Sequence, residues 1–257
     1  MAIKIKSARE IELMREAGRI LGEVHEALAK EVVPGISTLE IDRKCQKMIE
    51  GYGCKPSFLG LYGYPASVCV SLNDEVVHGI PREDCIIMDG DIVSLDIGVE
   101  YKGYHSDAAR TVLVGDVEEE IRLLVERTKE SFFKGIEFAL PGNHLHQIGN
   151  EIDDYCSQFG YGVVRDLCGH GVGSALHEEP EIPNFRKRTR GPKLKEGMTL
   201  AVEPMINEGT EMVEWMDDGW TVVTLDGSMS AHYENTILIT EGKPEILTLT
   251  PSERGAL

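Results

Sequence analysis

The feature of this sequence that most restricts its fold is an internal repeat with an offset of 107 residues. Three landmarks recur at that offset, namely Pro34 and Pro141, Gly90 and Gly197, and Asp96 and Glu203. Each half also runs from a long helical pattern through Pro-Gly and a shorter helical pattern to strand-like segments. A shared offset and a shared order of elements favour duplication over chance. We therefore expect one α+β domain spanning 1–257, with similar halves of about 1–115 and 116–257 that face each other across a cleft.

Helix-start signals support this organisation. A Ser or Asp followed three residues later by Glu, the pattern of a capping box, precedes apolar residues at helical spacing in three places. These places are Ser7/Glu10, Ser37/Glu40 and Asp116/Glu119. The Pro-Gly pairs at Pro34 and Pro141 would close the two long helices, and the shorter helices would end near Gly51 and Gly160.

Composition narrows the class of protein. Because 44 Asp and Glu outweigh 26 Lys and Arg, the net charge is −18, which disfavours binding to nucleic acid or to anionic membranes. The six cysteines lack CxxC spacing and are typical of buried thiols in a reducing compartment. They are Cys45, Cys54, Cys69, Cys85, Cys156 and Cys168. The sequence shows neither a signal peptide nor an apolar run of transmembrane length, so we expect a cytoplasmic protein.

Two aspartates stand out in a predicted hairpin between residues 93 and 114. In the first strand, Asp96 lies on the opposite face from the alternating apolar residues. If the loop is centred between Tyr101 and Lys102, Asp96 directly faces Asp107, with Cβ atoms about 5 Å apart. Two carboxylates at that distance repel each other unless a cation lies between them. The hairpin therefore predicts a metal site.

Three more candidate ligands lie in the second half. Glu203 interrupts the apolar run LAVEPMI, and Glu234 interrupts HYENTILIT. His170 lies between glycines in CGHGVG, which would let the backbone approach a ligand closely. Taken singly, each Glu could be an exposed strand residue and His170 a core residue. Four such carboxylates, two of them related by the repeat, favour metal ligation.

The ordered set Asp96, Asp107, His170, Glu203 and Glu234 resembles the five-ligand dinuclear metal site of the methionine aminopeptidases, whose fold is called pita-bread. The surrounding strings agree, including GYPASVCVSLNDEVVHGIP, GDIVSLDIGVEYKGYHSDAARTVLVG and GHGVGSALHEEPEIPNF. The resemblance extends from about Ile5 to about Leu249. Within the family, the sequence is most similar to the short bacterial type I form. No zinc-binding extension precedes the first helix, and the long helical insertion of type II enzymes is missing.

The resemblance implies a role for each ligand. Asp96 would chelate one metal, His170 with Glu203 the other, and Asp107 and Glu234 would bridge both. The implied ions are two divalent metals, Fe(II), Mn(II), Co(II) or Zn(II). Hydroxide from a shared water would attack the first peptide bond, with Glu203 moving the proton.

The resemblance also implies substrate contacts. His177 would stabilise the developing oxyanion and His78 would contact the scissile nitrogen, although both could instead be ordinary surface or turn residues. The methionine pocket would lie around Tyr64, Cys69 and Trp220. Three further positions expected to line the pocket differ from the residues common in relatives. These positions are Phe58, Leu61 and Leu176.

The implied activity is removal of the N-terminal initiator methionine from nascent polypeptides, at the ribosome, mainly when the second residue is small. We expect a monomer that binds neither specific nucleic acid nor membranes. Two alternatives remain. An Xaa-Pro aminopeptidase or prolidase shares the ligands but usually has an extra N-terminal domain, for which a helix capped at Ser7 leaves no room. A non-catalytic pita-bread binding protein usually lacks ligands, and all five are present here.

Overall fold

The structure is a computed structural model that describes residues 2–256. Its α-helices are α1 (Ala8–Ala29), α2 (Thr38–Gly51), α3 (Glu119–Ile136), α4 (His146–Ser157) and α5 (Pro251–Ala256). The strands of the first half are β1 (Lys55–Pro56), β2 (Val68–Leu72), β3 (Glu75–Val77), β4 (Ile92–Tyr101) and β5 (Tyr104–Leu113). Those of the second half are β6 (Gly162–Val163), β7 (Gly169–Gly171), β8 (Glu178–Ile182), β9 (Thr199–Val202), β10 (Met205–Asn207), β11 (Val213–Trp215), β12 (Val222–Thr224), β13 (Ser230–His232), β14 (Asn235–Leu238) and β15 (Glu245–Ile246).

The strands form four sheets. The main sheet of the first half has the order β1-β4-β2, with β5 also paired to β4. The main sheet of the second half has the order β15-β14-β9-β7-β8. Two three-stranded sheets, β13-β10-β6 and β11-β12-β3, complete the set. None of the helices described within residues 2–256 combines the length and the hydropathy that a membrane span requires.

The largest buried apolar clusters segregate along the chain. One cluster draws all its buried members from residues 20–114, and the other draws its buried members from residues 124–239. In each cluster the apolar faces of two helices pack with residues of a sheet, which removes those faces from water. We propose on this basis that the chain is one domain of two similar halves.

The capping predictions for the first half are confirmed. The Ser7 hydroxyl accepts a hydrogen bond from the Glu10 amide, and the Glu10 carboxylate accepts one from the Ser7 amide at 2.7 Å. Ser37 caps α2 in the same way, accepting from the Glu40 amide at 3.2 Å. Each bond satisfies an amide that lacks a partner within the helix.

The prediction of an Asp116 cap on the third helix is wrong. Helix α3 begins at Glu119 with Glu118 as its N-cap residue, and no side chain caps it. Asp116 lies in a turn, where its amide donates to the Asp89 carboxylate. The helix also ends at Ile136, several residues before Pro141, because the following amides bond three rather than four residues back.

The predicted register of the aspartate hairpin is also wrong. Tyr101 pairs with Tyr104, so the loop is Lys102-Gly103, and both loop residues have left-handed backbone angles, φ 50° and 84°. A two-residue turn of that kind suits the right-handed twist of the strands. Asp96 therefore pairs with Ala109 and Asp107 with Gly98. The two aspartates are diagonal neighbours on one face instead of direct partners.

The runs around Glu203 and Glu234 are not the continuous strands that the sequence suggested. Glu203 and Pro204 separate β9 from β10, and Tyr233 and Glu234 separate β13 from β14. Proline cannot donate to a strand ladder, which accounts for the first interruption. At each interruption the chain passes between the five-stranded sheet and the β13-β10-β6 sheet. Both glutamates thus lie where two sheets meet.

Hydrogen bonds between β5 and the start of β14 join the two halves. The Glu234 amide donates to the Ala109 carbonyl at 3.0 Å, and the Ala109 amide donates back at 3.3 Å. The Thr236 hydroxyl accepts from the Asp107 amide and donates to the Asp107 carbonyl, both at 2.9 Å. These bonds fix Glu234 beside the aspartate hairpin.

Candidate metal centre

A cavity of about 280 Å³ lies between the two halves, and all five predicted ligands line it. Strands β4 and β5 contribute Asp96 and Asp107, and β7 contributes His170. Glu203 and Glu234 come from the two strand interruptions. The structure therefore brings together residues separated by up to 138 positions, which no local pattern could do.

The ligand atoms converge closely. One atom each from Asp107, His170 and Glu234 lie within 4.8 Å of one another. His170 Nε2 lies 3.5 Å from Asp107 Oδ2 and 3.8 Å from Glu203 Oε1. His170 Nδ1 is 2.8 Å from the Gly171 carbonyl, to which it donates when the proton is on Nδ1. In that tautomer the Nε2 lone pair points into the carboxylate cluster and is free to bind a cation.

The electrostatics of the cluster favour a bound cation. Burial raises the pKa values of Asp96, Glu203 and Glu234 well above their usual range, and neighbouring carboxylates raise them further. Burial also raises the pKa of Asp107, to about 7. Asp96 Oδ1, Asp107 Oδ1 and Glu234 Oε1 are buried without a hydrogen-bond partner among the described residues. Burying such an oxygen lowers the stability of the fold unless a proton or a metal ion binds to it.

The Arg110 guanidinium offsets these carboxylates only in part, because it lowers the pKa of Glu234 by less than burial and the neighbouring carboxylates raise it. Arg110 donates to the backbone carbonyls of Ala109 and Glu234 and to the side chain of Asn235, and it forms an ion pair with Glu253 at 2.9 Å. Its charge is therefore already shared among groups outside the cluster. Four carboxylates with one imidazole are a donor set that suits hard or borderline divalent cations, so the residues present fit a metal centre.

His177 borders the same cavity. Its ring stacks on Tyr62 with centroids 5.9 Å apart and meets the His170 ring edge-on at 4.4 Å. Burial lowers the pKa of His177 to about 4, so its imidazole is neutral at pH 7 and can donate one hydrogen bond.

His78 borders the cavity from the first half. Burial lowers its pKa to about 4, as it does for His177. Its backbone is left-handed, with φ 61°, a conformation that is uncommon for a residue other than glycine. Such a conformation at the wall of a cavity is a feature often found at functional sites.

An apolar wall adjoins the metal ligands. Phe58, Leu61, Tyr64, Cys69 and Trp220, which the sequence analysis assigned to a methionine pocket, all line the cavity. The Tyr64 and Trp220 rings meet edge-on with centroids 5.1 Å apart, and the Tyr64 hydroxyl donates to the Gly79 carbonyl at 2.9 Å. This bond satisfies the only polar atom of the Tyr64 side chain and leaves the ring as an apolar surface.

Two details of this wall were not foreseen. Leu176 packs in the same buried cluster as Phe58 and Tyr64, but it is not among the residues that line the cavity. A Cβ at Gly98 would lie 2.8 Å from the Phe58 ring, so only glycine at this position of β4 lets the ring approach the strand.

Sequence reasoning missed several lining residues, namely Tyr62, Val77, Leu167, Cys168, Gly169, Glu181 and Met205. Residues 167–169 directly precede His170, and Glu181 pairs with His170 across β7 and β8. Proximity to His170 in sequence could therefore have revealed the first group, whereas Glu181 needed the strand pairing. Tyr62 lies in a turn between two glycines with left-handed angles, a signal that was visible in LGLYGYP.

A basic segment also escaped the sequence prediction. Six of the ten residues in 186–195 are Lys or Arg, although the whole chain has a net charge of −18. Arg188, Arg190, Lys193 and Lys195 are exposed. The loop is held to the start of α4, where the Leu145 amide donates to the Pro192 carbonyl at 2.9 Å. Net charge alone therefore concealed a local cationic surface.

Comparison with known proteins gives a consistent family. The profile of metallopeptidase family M24 matches residues 12–241. A methionine aminopeptidase of Clostridium perfringens is 55% identical over 247 residues, covering 96% of this chain and 99% of that protein. The crystal structure of a methionine aminopeptidase from Thermotoga maritima superposes with a TM-score of 0.94 at 43% identity, covering 96% of this chain and all of the other. A prolidase from Pyrococcus furiosus superposes less well, with a TM-score of 0.78 at 28% identity, and is covered over only 65% of its length.

Proposed function

The chain belongs to metallopeptidase family M24, among the methionine aminopeptidases with the pita-bread α+β fold, and on that premise we propose that it removes N-terminal methionine from nascent polypeptides whose second residue is small. The main support for this proposal is that one cavity contains two chemically different regions side by side. Four carboxylates and an imidazole occupy one part of it, and an apolar aromatic wall occupies another. The first suits metal-assisted hydrolysis and the second suits an unbranched apolar side chain.

As an M24 metallopeptidase the enzyme uses divalent metal. We propose two ions: Asp96 would help to hold one, His170 and Glu203 would help to hold the other, and Asp107 and Glu234 would contribute to both. Fe(II), Mn(II), Co(II) and Zn(II) all suit this mixed oxygen and nitrogen set. When bound, such ions make hydroxide available at neutral pH and polarise a carbonyl.

We propose three further roles for side chains of this chain. Glu203 accepts a proton from water and delivers it to the leaving amine, because it would be a terminal rather than a bridging ligand. His177, which is neutral, donates a hydrogen bond to the developing oxyanion. His78 contacts the scissile nitrogen from the opposite half of the cavity.

The apolar wall would select methionine. Tyr64 and Trp220 offer aromatic faces and edges to a thioether, and sulfur–aromatic contacts are favourable by about 0.3–1.5 kcal/mol. Phe58, Leu61 and Cys69 would enclose the side chain, and Leu176 supports them from behind. We propose that the metal ligands and His177 crowd the next position, so that a small second residue is preferred.

A panel of peptides tests this function directly. Purified enzyme reconstituted with each metal in turn should cut Met-Ala-Ser faster than its norleucine analogue, and should cut Val-Ala and Met-Lys peptides poorly. A hydrophobic pocket separates Met from norleucine by only about 1–3 kcal/mol, so slow cleavage of norleucine is expected. Faster cleavage of Xaa-Pro peptides would favour the prolidase alternative, and activity that survives prolonged chelation would reject metal catalysis.

We further propose that the enzyme acts as a monomer in the cytoplasm on chains that emerge from the ribosome. The exposed cations of segment 186–195 support this partner, because they can contact RNA phosphates without reading sequence. Co-sedimentation with ribosomes should decline as salt rises, since such contacts release counterions. Replacing Arg188 and Arg190 by Gln should weaken sedimentation while peptide cleavage is retained, and unchanged sedimentation would contradict this contact surface.

A further inference from the structure

A short N-terminal segment, Lys4–Lys6, contacts a single carboxylate near the cavity. Lys6 Nζ lies 2.8 Å from Glu178 Oε2, and Lys4 Nζ lies 2.8 Å from Glu178 Oε1. The Lys6 amide also donates to the Gly197 carbonyl at 2.8 Å. The segment that precedes α1 is thereby bound to the second half of the chain.

The ion pair between Lys6 and Glu178 is buried. Each of the two side chains is only 4% exposed, which is uncommon for a Lys–Glu pair. A Cβ at Gly173 would lie 2.6 Å from Lys6 Cε and 2.9 Å from the Glu178 carboxylate, so the pair fills a space that only glycine leaves open. Burial opposes ionisation of Glu178, but hydrogen bonds from Lys4 and Lys6 outweigh it and lower its pKa to about 2. The carboxylate is therefore held charged and in place.

Glu178 closes the loop that carries His177. Its Oε1 atom accepts hydrogen bonds from the Ser174 hydroxyl at 3.3 Å and from the Ala175 amide at 3.4 Å. At the other end of the loop, the His105 amide donates to the Gly173 carbonyl at 2.8 Å. His177 directly precedes Glu178, and β7 with the ligand His170 lies just before the loop. Anchoring Glu178 thus restricts where the His177 ring can lie.

We propose that Lys6, assisted by Lys4, is a positioning residue for His177 and acts through Glu178. The inference rests on the proposed function, because it assigns His177 a role in peptide hydrolysis. An ammonium group held in a glycine-lined space orients the carboxylate, the carboxylate closes the loop, and the loop directs the imidazole to the metal ligands. Misplacement of a reacting group by about 1 Å can reduce a rate about 10²-fold, so this anchoring bears directly on turnover.

The central experiment uses Lys6→Met, which keeps the length of the side chain and removes its charge. We expect kcat to fall about 10-fold to 100-fold with KM and bound metal little changed, since the pocket and ligands are untouched. Deuterium uptake should rise in residues 173–178 and not in strand β2, whose backbone pairs with β4 rather than with this loop. Lys4→Met, which removes the exposed contact to the same carboxylate, should give a smaller change of the same kind.

A double-mutant cycle separates positioning from general stability. In a His177→Ala background, Lys6→Met should cause little further loss of kcat, because the group that it positions is already absent. An equal loss in both backgrounds would overturn the proposal, and so would wild-type kcat in both the Lys6→Met and Lys4→Met variants.

Arg15→Met serves as the matched control. Arg15 also joins the N-terminal region to the second half, through Glu245 at 2.6 Å, but that ion pair is made to β15 and involves neither Glu178 nor the His177 loop. We expect this variant to leave kcat and the exchange of residues 173–178 unchanged. If wild-type enzyme failed to cut Met peptides, the proposed function would fall, whereas exchange that stayed unchanged in Lys6→Met would refute the anchoring itself.

Discussion

The two halves place corresponding acidic residues by different backbone means. In the first half, Asp96 and Asp107 lie within two ten-residue strands joined by a two-residue turn. In the second half, Glu203, the repeat counterpart of Asp96, lies outside any strand, between segments of four and three residues. Glu234 occupies a similar interruption. In the proposed organisation of two similar halves, a candidate ligand position is therefore kept while the strands around it differ.

The difference has a consequence for chemistry. The regular hairpin holds its aspartates through a continuous ladder of backbone hydrogen bonds, which gives a stiff base for the metal ligands. The second half contributes the other three proposed ligands and the loop that carries His177, and this loop receives side-chain contacts from the N-terminal segment. We infer that the first half serves mainly as a rigid base for two of the proposed ligands, whereas the second half adds to its three proposed ligands a loop that tunes turnover.

The largest effect should come from breaking the base of the site. In Asp107→Asn we expect loss of bound metal and a fall in kcat/KM on the order of 10³-fold or more, because a metal centre supplies several kcal/mol of transition-state stabilisation. Elemental analysis and peptide cleavage measure both changes. Asp84→Asn, which alters an aspartate with an 88% exposed side chain in the same half, should change neither. A metal-loaded, fully active Asp107→Asn enzyme would remove Asp107 from the set of proposed ligands.

A change in the second half should separate turnover from metal binding. His177→Ala should lower kcat about 10²-fold to 10³-fold, the usual cost of losing an oxyanion donor. Metal content should stay at the wild-type value, because the five ligands remain. If elemental analysis found less metal in this variant, His177 would have to be counted among the ligands.

Metal removal should weaken the junction between the halves. Without cations, several buried carboxylate oxygens have no hydrogen-bond partner among the described residues. A metal ion that binds only the folded protein, present at about 100 times its Kd, would add about 2.7 kcal/mol to the free energy of unfolding. We expect EDTA to lower the melting temperature and added metal to restore it. An identical melting temperature with and without chelator would mean that no bound ion offsets the negative charge of the carboxylates.

The smallest expected effect concerns the first residues of the two long helices, α1 and α3. Ser7→Ala should reduce the free energy of unfolding by about 1 kcal/mol, because it removes the cap of α1. Asp116→Ala, at the corresponding place in the second half, should change it by less than about 0.5 kcal/mol, since no side chain caps α3. Urea titration of both variants measures the difference, and equal losses would contradict the capping assignment.

Local signals determined much of this protein from the sequence alone. Capping residues and helical spacing are short-range effects, so the start of α1 and both ends of α2 could be predicted closely, whereas α1 ends at Ala29, before the expected Pro34-Gly35. The repeat offset paired Asp96 with Glu203, and the ordered ligand motifs indicated the family and its metal chemistry. Each of these inferences depends on residues that are near in sequence or recur at a fixed distance.

Other features of the site depend on contacts that form only when the chain is folded. The register of the aspartate hairpin follows from the left-handed turn at Lys102-Gly103, and a loop centre one residue away would have paired different residues. The strand interruptions, the place of Glu181 in the cavity wall and the contact of Lys6 with Glu178 all join parts of the chain that no local pattern relates. Hydrogen-bond geometry and close packing select such contacts only once the sheets and helices are assembled, which is why the sequence could suggest the candidate ligands but not the scaffold that orients them.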